Sequence, residues 1–130
     1  MYLKEGTLFF FFHILYQGKI PRTTRKEEAY VMYRYVITLG ELKKLQEKEN
    51  VRLVDVRDSE SYRKGHIPEA VSIPYSEEPD FFEKFQKTGT IVICCDRGNL
   101  SAKVTLRMRK AGYQVYSLAG GYEGYRRFQK

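Results

Sequence analysis

The stretch TIVICC, residues 90–95, constrains this chain more than any other. It carries one hydroxyl, Thr90, and is otherwise apolar and rich in β-branched residues, bounded by Gly89 and Asp96. Such residues favour strands, and successive strand side chains point to opposite faces. A strand that is apolar at every position has no face to show to water. It belongs inside a sheet covered on both sides, the situation of parallel sheets in α/β proteins.

The flanking sequence supplies the covering layers. YVIT (35–38) is a short strand, after which Thr38 and Glu41 form a capping box for a helix with Leu39, Leu42 and Leu45 as its buried stripe. VRLVDVR (51–57) reads as a strand, SESYRKG (59–65) as a short helix ended by Gly65, and AVSI (70–73) as another strand. DFFEKFQKTG (80–89) predicts an amphipathic helix capped by Asp80. SAKVTLRMRKAG (101–112) predicts a helix with Val104, Met108 and Ala111 facing inward, stopped by Gly112. YQVYSLAG and GYEGYRRF add a last strand and a terminal helix. The alternation predicts an α/β fold, a mainly parallel five-stranded sheet with helices on both faces. Ligands of such sheets sit at the carboxyl ends of the strands. Residues 35–130 form this domain, and residues 1–34 an N-terminal apolar and basic extension.

The extension contains Leu8–Tyr16, almost wholly apolar and interrupted by His13. A spanning helix needs roughly 20 such residues, and no small-x-small cleavage site follows. The run is expected to pack on the domain or on a partner chain, with His13 as a packing residue. Contact with a membrane surface, through Phe residues flanked by Lys and Arg, is the alternative. The net charge is +7. From Ser101 onward seven basic residues face one acid, Glu123, which reads as a solvated helix face or as attraction for an anion. No aromatic-rich RNA-binding signature accompanies them, so no nucleic-acid partner is expected.

The two cysteines, Cys94 and Cys95, are neighbours. A bridge between them would tie nothing together, so a reducing, cytoplasmic setting is the expectation. With only two His in the chain, no zinc site is supported. Strand alternation aims the two thiols apart. Cys95 leads into DRGNL, a loop running from a strand end to a helix start, where backbone N–H groups are unpaired and the helix end is positive. Both features favour a thiolate, and Gly98 lets the loop curl tightly. Cys94 reads as an inert core thiol. On this chemistry Cys95 is a candidate nucleophile, with a buried thiol at a strand end as the alternative.

Three pieces in order carry a resemblance. LVDVRDSESYRKGHIPEAVSIPY (53–75) looks like D-x-R followed by G-H-I-P-x-A, CDRGNLS (95–101) is similar to C-x-x-G-x-x-S, and GYQVYSLAGGYEGY (112–125) to G-[YF]-x-V-x-x-L-x-G-G. From about Tyr35 to Phe128 the chain resembles the rhodanese-like (sulfurtransferase) domain family. The resemblance implies a nucleophile at Cys95 that takes a sulfane sulfur from thiosulfate or another persulfide donor and passes it to a thiophilic acceptor. The substrate loop would be Asp96, Arg97, Gly98, Asn99, Leu100 and Ser101, supported by Asp55 and Arg57 at the D-x-R positions. No metal or organic cofactor is implied. The expected partners are a small anionic sulfur donor and, as acceptor, a thiol or sulfur-carrier protein.

Two positions depart from the family pattern. Leu100 stands where many active members carry Arg, which puts thiosulfate as preferred donor in question, with Arg97 as a substitute charge. Tyr125 stands where Trp is common. His66 falls in the pattern's structural turn rather than beside the cysteine. A phosphatase of the C-x5-R type would need Arg at the position of Ser101. A non-catalytic rhodanese-like interaction or regulatory module is the other reading, and the presence of Cys95 argues against it.

Overall fold

The computed structural model describes residues 25–129. The elements are α1 (Arg25–Arg34), β1 (Val36–Ile37), α2 (Leu39–Lys48), β2 (Val51–Asp55), α3 (Ser59–Lys64), β3 (Val71–Ser72), a 3-10 segment (Pro79–Lys84), β4 (Thr90–Cys94), α4 (Asn99–Lys110), β5 (Val115–Leu118) and α5 (Gly121–Phe128). The five strands form one sheet in the order β1-β5-β4-β2-β3, every pair parallel. The TIVICC strand lies at its centre, and all five residues of β4 are buried. The apolar run Leu8–Tyr16 with His13, on which the membrane reading rested, lies outside the described residues. Helix α1 lies alongside α4. Among the described residues no helix is long and apolar enough to cross a membrane.

Alternation along β4 divides the core into two layers. Ile91 and Ile93 join Val54, Val115, Val104 and Met108 under α4, together with Phe81 and Phe85. Val92 and Cys94 join Leu53, Leu118, Ile37 and Leu42 on the opposite face, where α2 and α5 pack. Full burial of one such side chain, Phe81 for example, is worth about 1.5–3 kcal/mol.

The Thr38–Glu41 capping box forms as its spacing implies. Only Leu42 of the α2 stripe is fully buried, while Leu39 and Leu45 pack at its edge. Elsewhere the tertiary structure departs from local pattern. Residues 80–89 are not an α-helix, and Asp80 caps nothing; Pro79–Lys84 is a 3-10 turn with Pro at its start and no side-chain cap. The packing of Phe81, Phe82 and Phe85 against Tyr75 and Tyr113 sets its course instead. The basic C-terminal quarter is not a uniformly solvated face either. Arg107 bonds to the Tyr75 hydroxyl and lies over Phe82. Arg109 stacks on Tyr35 and Tyr116 and donates to the Val115 carbonyl.

Candidate active site

The carboxyl end of β4 runs directly into α4, and the turn between them is built around one sulfur atom. Gly98 precedes the helix with φ +107, a left-handed conformation that side chains resist. This brings two backbone amides onto Cys95 Sγ: Gly98 N and Ser101 N each donate to it at 3.2 Å. Ser101 is the third residue of α4, whose amide a capping side chain would ordinarily take; here the cysteine sulfur takes it. Helix α4 therefore begins at Asn99, two residues before the start expected from sequence. The Ser101 hydroxyl is occupied with the Gly98 carbonyl and with Ser117 Oγ, at 2.7 Å. Ser101 is fully buried. The C-x5-R position thus holds a buried hydroxyl rather than a guanidinium, which leaves phosphate chemistry without its anchor.

A second helix start clamps the base of this loop. Tyr122 N donates to the Cys95 carbonyl at 2.8 Å, and Glu123 N to the Asp96 carbonyl at 2.9 Å. This approach requires Gly121, since a Cβ there would lie 2.3 Å from the Cys95 carbonyl oxygen.

Cys95 is only 4% exposed, and its small open surface lies in a cleft of about 780 Å³. Val56, Pro74, Tyr75 and Leu100 form apolar walls of that cleft. Its polar lining is Arg57, Asp58, Asp96, Arg97, Asn99 and Glu123. Of the expected loop residues, Asp96, Arg97 and Asn99 are exposed, whereas Leu100 turns partly into the core. Tyr75, Pro74, Asp58 and Glu123 were not singled out by sequence. Their signal is position alone: each follows a strand end or opens a helix near the sheet's carboxyl edge.

Asp55 and Arg57 form a buried pair. Arg57 Nε and Nη2 bond the Asp55 carboxylate at 2.8–3.1 Å, and Nη2 also donates to the Gly65 carbonyl. The guanidinium lies over the Tyr122 ring, with Nη1 3.6 Å from Asp96 Oδ1. Burial works against the Arg57 charge, yet the hydrogen bonds and charge of Asp55 outweigh it and hold the guanidinium pKa above its ordinary value. Asp55 thus aims Arg57 at the cleft and is itself shielded from it.

Cys94 is separated from all this. It is fully buried on the other sheet face, and burial, reinforced by Asp55, pushes its thiol pKa far above the ordinary range. His66 stacks on Tyr62, with Nδ1 against the Tyr62 carbonyl, and is exposed. Among the described residues no group of three or more His, Cys, Asp or Glu is placed to hold a metal ion.

Known proteins share the family and the fold. A family described as "Rhodanese-like domain" matches residues 38–128. A thiosulfate sulfurtransferase, GlpE, of Coxiella burnetii is 32% identical over 94 residues, covering 72% of this chain and 87% of that protein. Among solved structures, a rhodanese-like domain protein from Staphylococcus aureus is 39% identical with a TM-score of 0.59, over 66% of this chain and 85% of that one. The human single-domain sulfurtransferase TSTD1 is 27% identical with a TM-score of 0.58, over 72% of this chain and 96% of that one.

Proposed function

The chain belongs to the rhodanese-like domain family, and on that premise we propose that it is a sulfurtransferase whose Cys95 carries a sulfane sulfur between a donor and a thiophilic acceptor. The observation that carries this reading is the pair of amides, Gly98 N and Ser101 N, directed at one cysteine sulfur on the wall of a cleft.

In the first step the Cys95 sulfur attacks the donor's sulfane sulfur. A Cys95–sulfur bond forms, the donor's bond to that sulfur breaks, and the remainder leaves with the bonding pair. A persulfide terminus is anionic, and loop amides suit it as they suit an oxyanion. In the second step the acceptor, a thiol or the reactive end of a sulfur-carrier protein, attacks the outer sulfur and Cys95 leaves. Two displacements at one sulfur make ping-pong kinetics the expected form. Asp55 acts by positioning Arg57, and Arg57 contributes a fixed positive group at the cleft.

The test is the intact mass of the purified chain after incubation with thiosulfate and with organic persulfides. A gain of one sulfur atom, lost on adding a thiol and absent in Cys95→Ser, supports the reading. No gain with any donor would favour an interaction module.

A further inference from the structure

Strand β5 carries a polar side chain on a face that is otherwise apolar core. Ser117 follows Val115 by two positions and so shares its face. There Val115 packs with Ile93, Val104 and Met108 under α4. The neighbours of Ser117 across the sheet are Ile93 on β4 and Val36 on β1. Ser117 is 1% exposed. A hydroxyl in such surroundings costs stability unless it is bonded, and this one meets Ser101 Oγ at 2.7 Å. Ser101 is itself fully buried, at the third position of α4. Two facing alanines would be comparably stable, since they would leave neither hydroxyl partner unpaired. Stability alone therefore does not account for two hydroxyls here.

The partners fix the direction of each bond. The Gly98 carbonyl can only accept, so the Ser101 hydroxyl donates to it at 3.1 Å. That uses the one hydroxyl proton of Ser101, so Ser101 Oγ accepts from Ser117. Two bonds in series thus run from the sheet to the residue that precedes α4. The same two residues, Gly98 and Ser101, supply the amides that reach Cys95 Sγ. The sulfur stands one residue past β4, the strand beside β5. Ser117 therefore ties the donors of these N–H···S bonds to the same sheet that carries their acceptor. We propose that Ser117 is a positioning residue for the reaction at Cys95. Through the Ser101 hydroxyl it sets the start of α4 where both amides meet the sulfur. This rests on the sulfurtransferase reading above and adds a residue from outside the cleft, whose lining does not include Ser117.

The test follows sulfur loading onto Cys95 by quenched intact mass, as a function of donor concentration, with thiosulfate and with an organic persulfide. Ser117→Ala should lower the limiting rate by about ten-fold and leave the half-saturating donor concentration unchanged, because the cleft is untouched. Ser117→Thr keeps the hydroxyl and should restore the rate. Ser117→Val has the same shape without the hydroxyl and should not. In a Ser101→Ala chain, Ser117→Ala should have no further effect on the rate, since the residue acts through Ser101. The Ser101→Ala, Ser117→Ala chain should keep a urea midpoint near that of the unmodified chain while loading slowly. Should Ser117→Val fold poorly, the Ser101→Ala comparison decides. An unchanged limiting rate in Ser117→Ala, or an equal loss with and without the Ser101 hydroxyl, overturns this proposal and leaves the sulfurtransferase reading standing. If the unmodified chain loads from no donor, that reading falls, and alkylation of Cys95 by iodoacetamide decides the role of Ser117 by itself. A rate about ten-fold lower in Ser117→Ala supports the positioning role, and an equal rate overturns it.

Discussion

Replacing Gly121 by alanine tests whether the helix that follows the active loop holds the reactive cysteine in place. Gly121 sits at φ +56, and an added Cβ would lie 2.3 Å from the Cys95 carbonyl oxygen and 2.7 Å from the Asp96 carbonyl. Alanine in the left-handed region costs about 1 kcal/mol. Relief of the clash must push the start of α5 away and weaken the bonds from Tyr122 N and Glu123 N to those two carbonyls, at about 1 kcal/mol each. The expected total is about 3 kcal/mol of stability. Gly89 provides the control, because its φ is +83 with nothing within 4 Å of an added Cβ. Gly89→Ala should therefore show the conformational cost alone, about 1 kcal/mol. Urea unfolding with matched slopes measures both losses. Since Cys95 itself is displaced, Gly121→Ala should also slow sulfur loading by about 100-fold in the molecules that remain folded, while Gly89→Ala loads normally. If Gly121→Ala is no less stable than Gly89→Ala and loads sulfur at the unmodified rate, the clamp has no role in placing Cys95.

Cys94→Ser should retain sulfur loading yet lose about 1–3 kcal/mol of stability, because it sets a hydroxyl among Leu42, Leu53 and Val92; urea unfolding beside the intact-mass assay checks both halves. Glu69 adopts φ +73 on the surface. Glu69→Gly should relieve about 1–2 kcal/mol of strain, less the entropy glycine adds to the unfolded chain, for a net gain of about 0.5–1 kcal/mol. A melting temperature that rises with glycine and not with alanine confirms this origin. Glu41 and Asp58 have carboxyl pKa values held below 4.5 and 3.8, chiefly by the amides of Thr38 and Ser61 respectively. Their stabilisation is complete above those values and is lost as pH falls through the lower folded ones. The stability gap between the natural chain and Glu41→Ala or Asp58→Ala should close on that acid side; a gap that persists there would show the caps act without charge.

The sheet was legible from sequence because its cause is local. An apolar strand such as TIVICC admits burial on both faces only, and the alternation of short strands with capped helices around it leaves few other arrangements. The separation of Cys94 from Cys95 followed from the same alternation, which needs no knowledge of what lies on either side. The capping box at Thr38 and the stop at Gly112 also depend on residues within one turn of each other.

What tertiary structure alone decided depends on groups far apart in the chain. Residues 80–89 have an amphipathic pattern, yet the rings of Tyr75 and Tyr113 determine how Phe81 and Phe85 pack, and the segment becomes a 3-10 turn. Arg107 reads as a solvated cation by its helical spacing, but Tyr75, thirty-two residues away, draws it inward. The need for Gly121 arises only because α5 returns to the carbonyls of Cys95 and Asp96. The cleft's lining joins Asp58 after β2, Asp96 after β4 and Glu123 after β5. Composition reports a chain of +7, because charge summed along a sequence carries no information about which charges the fold brings to one side. Parallel strands do carry that information: they all end at the same edge, and it is there that three separated carboxylates and one cysteine meet.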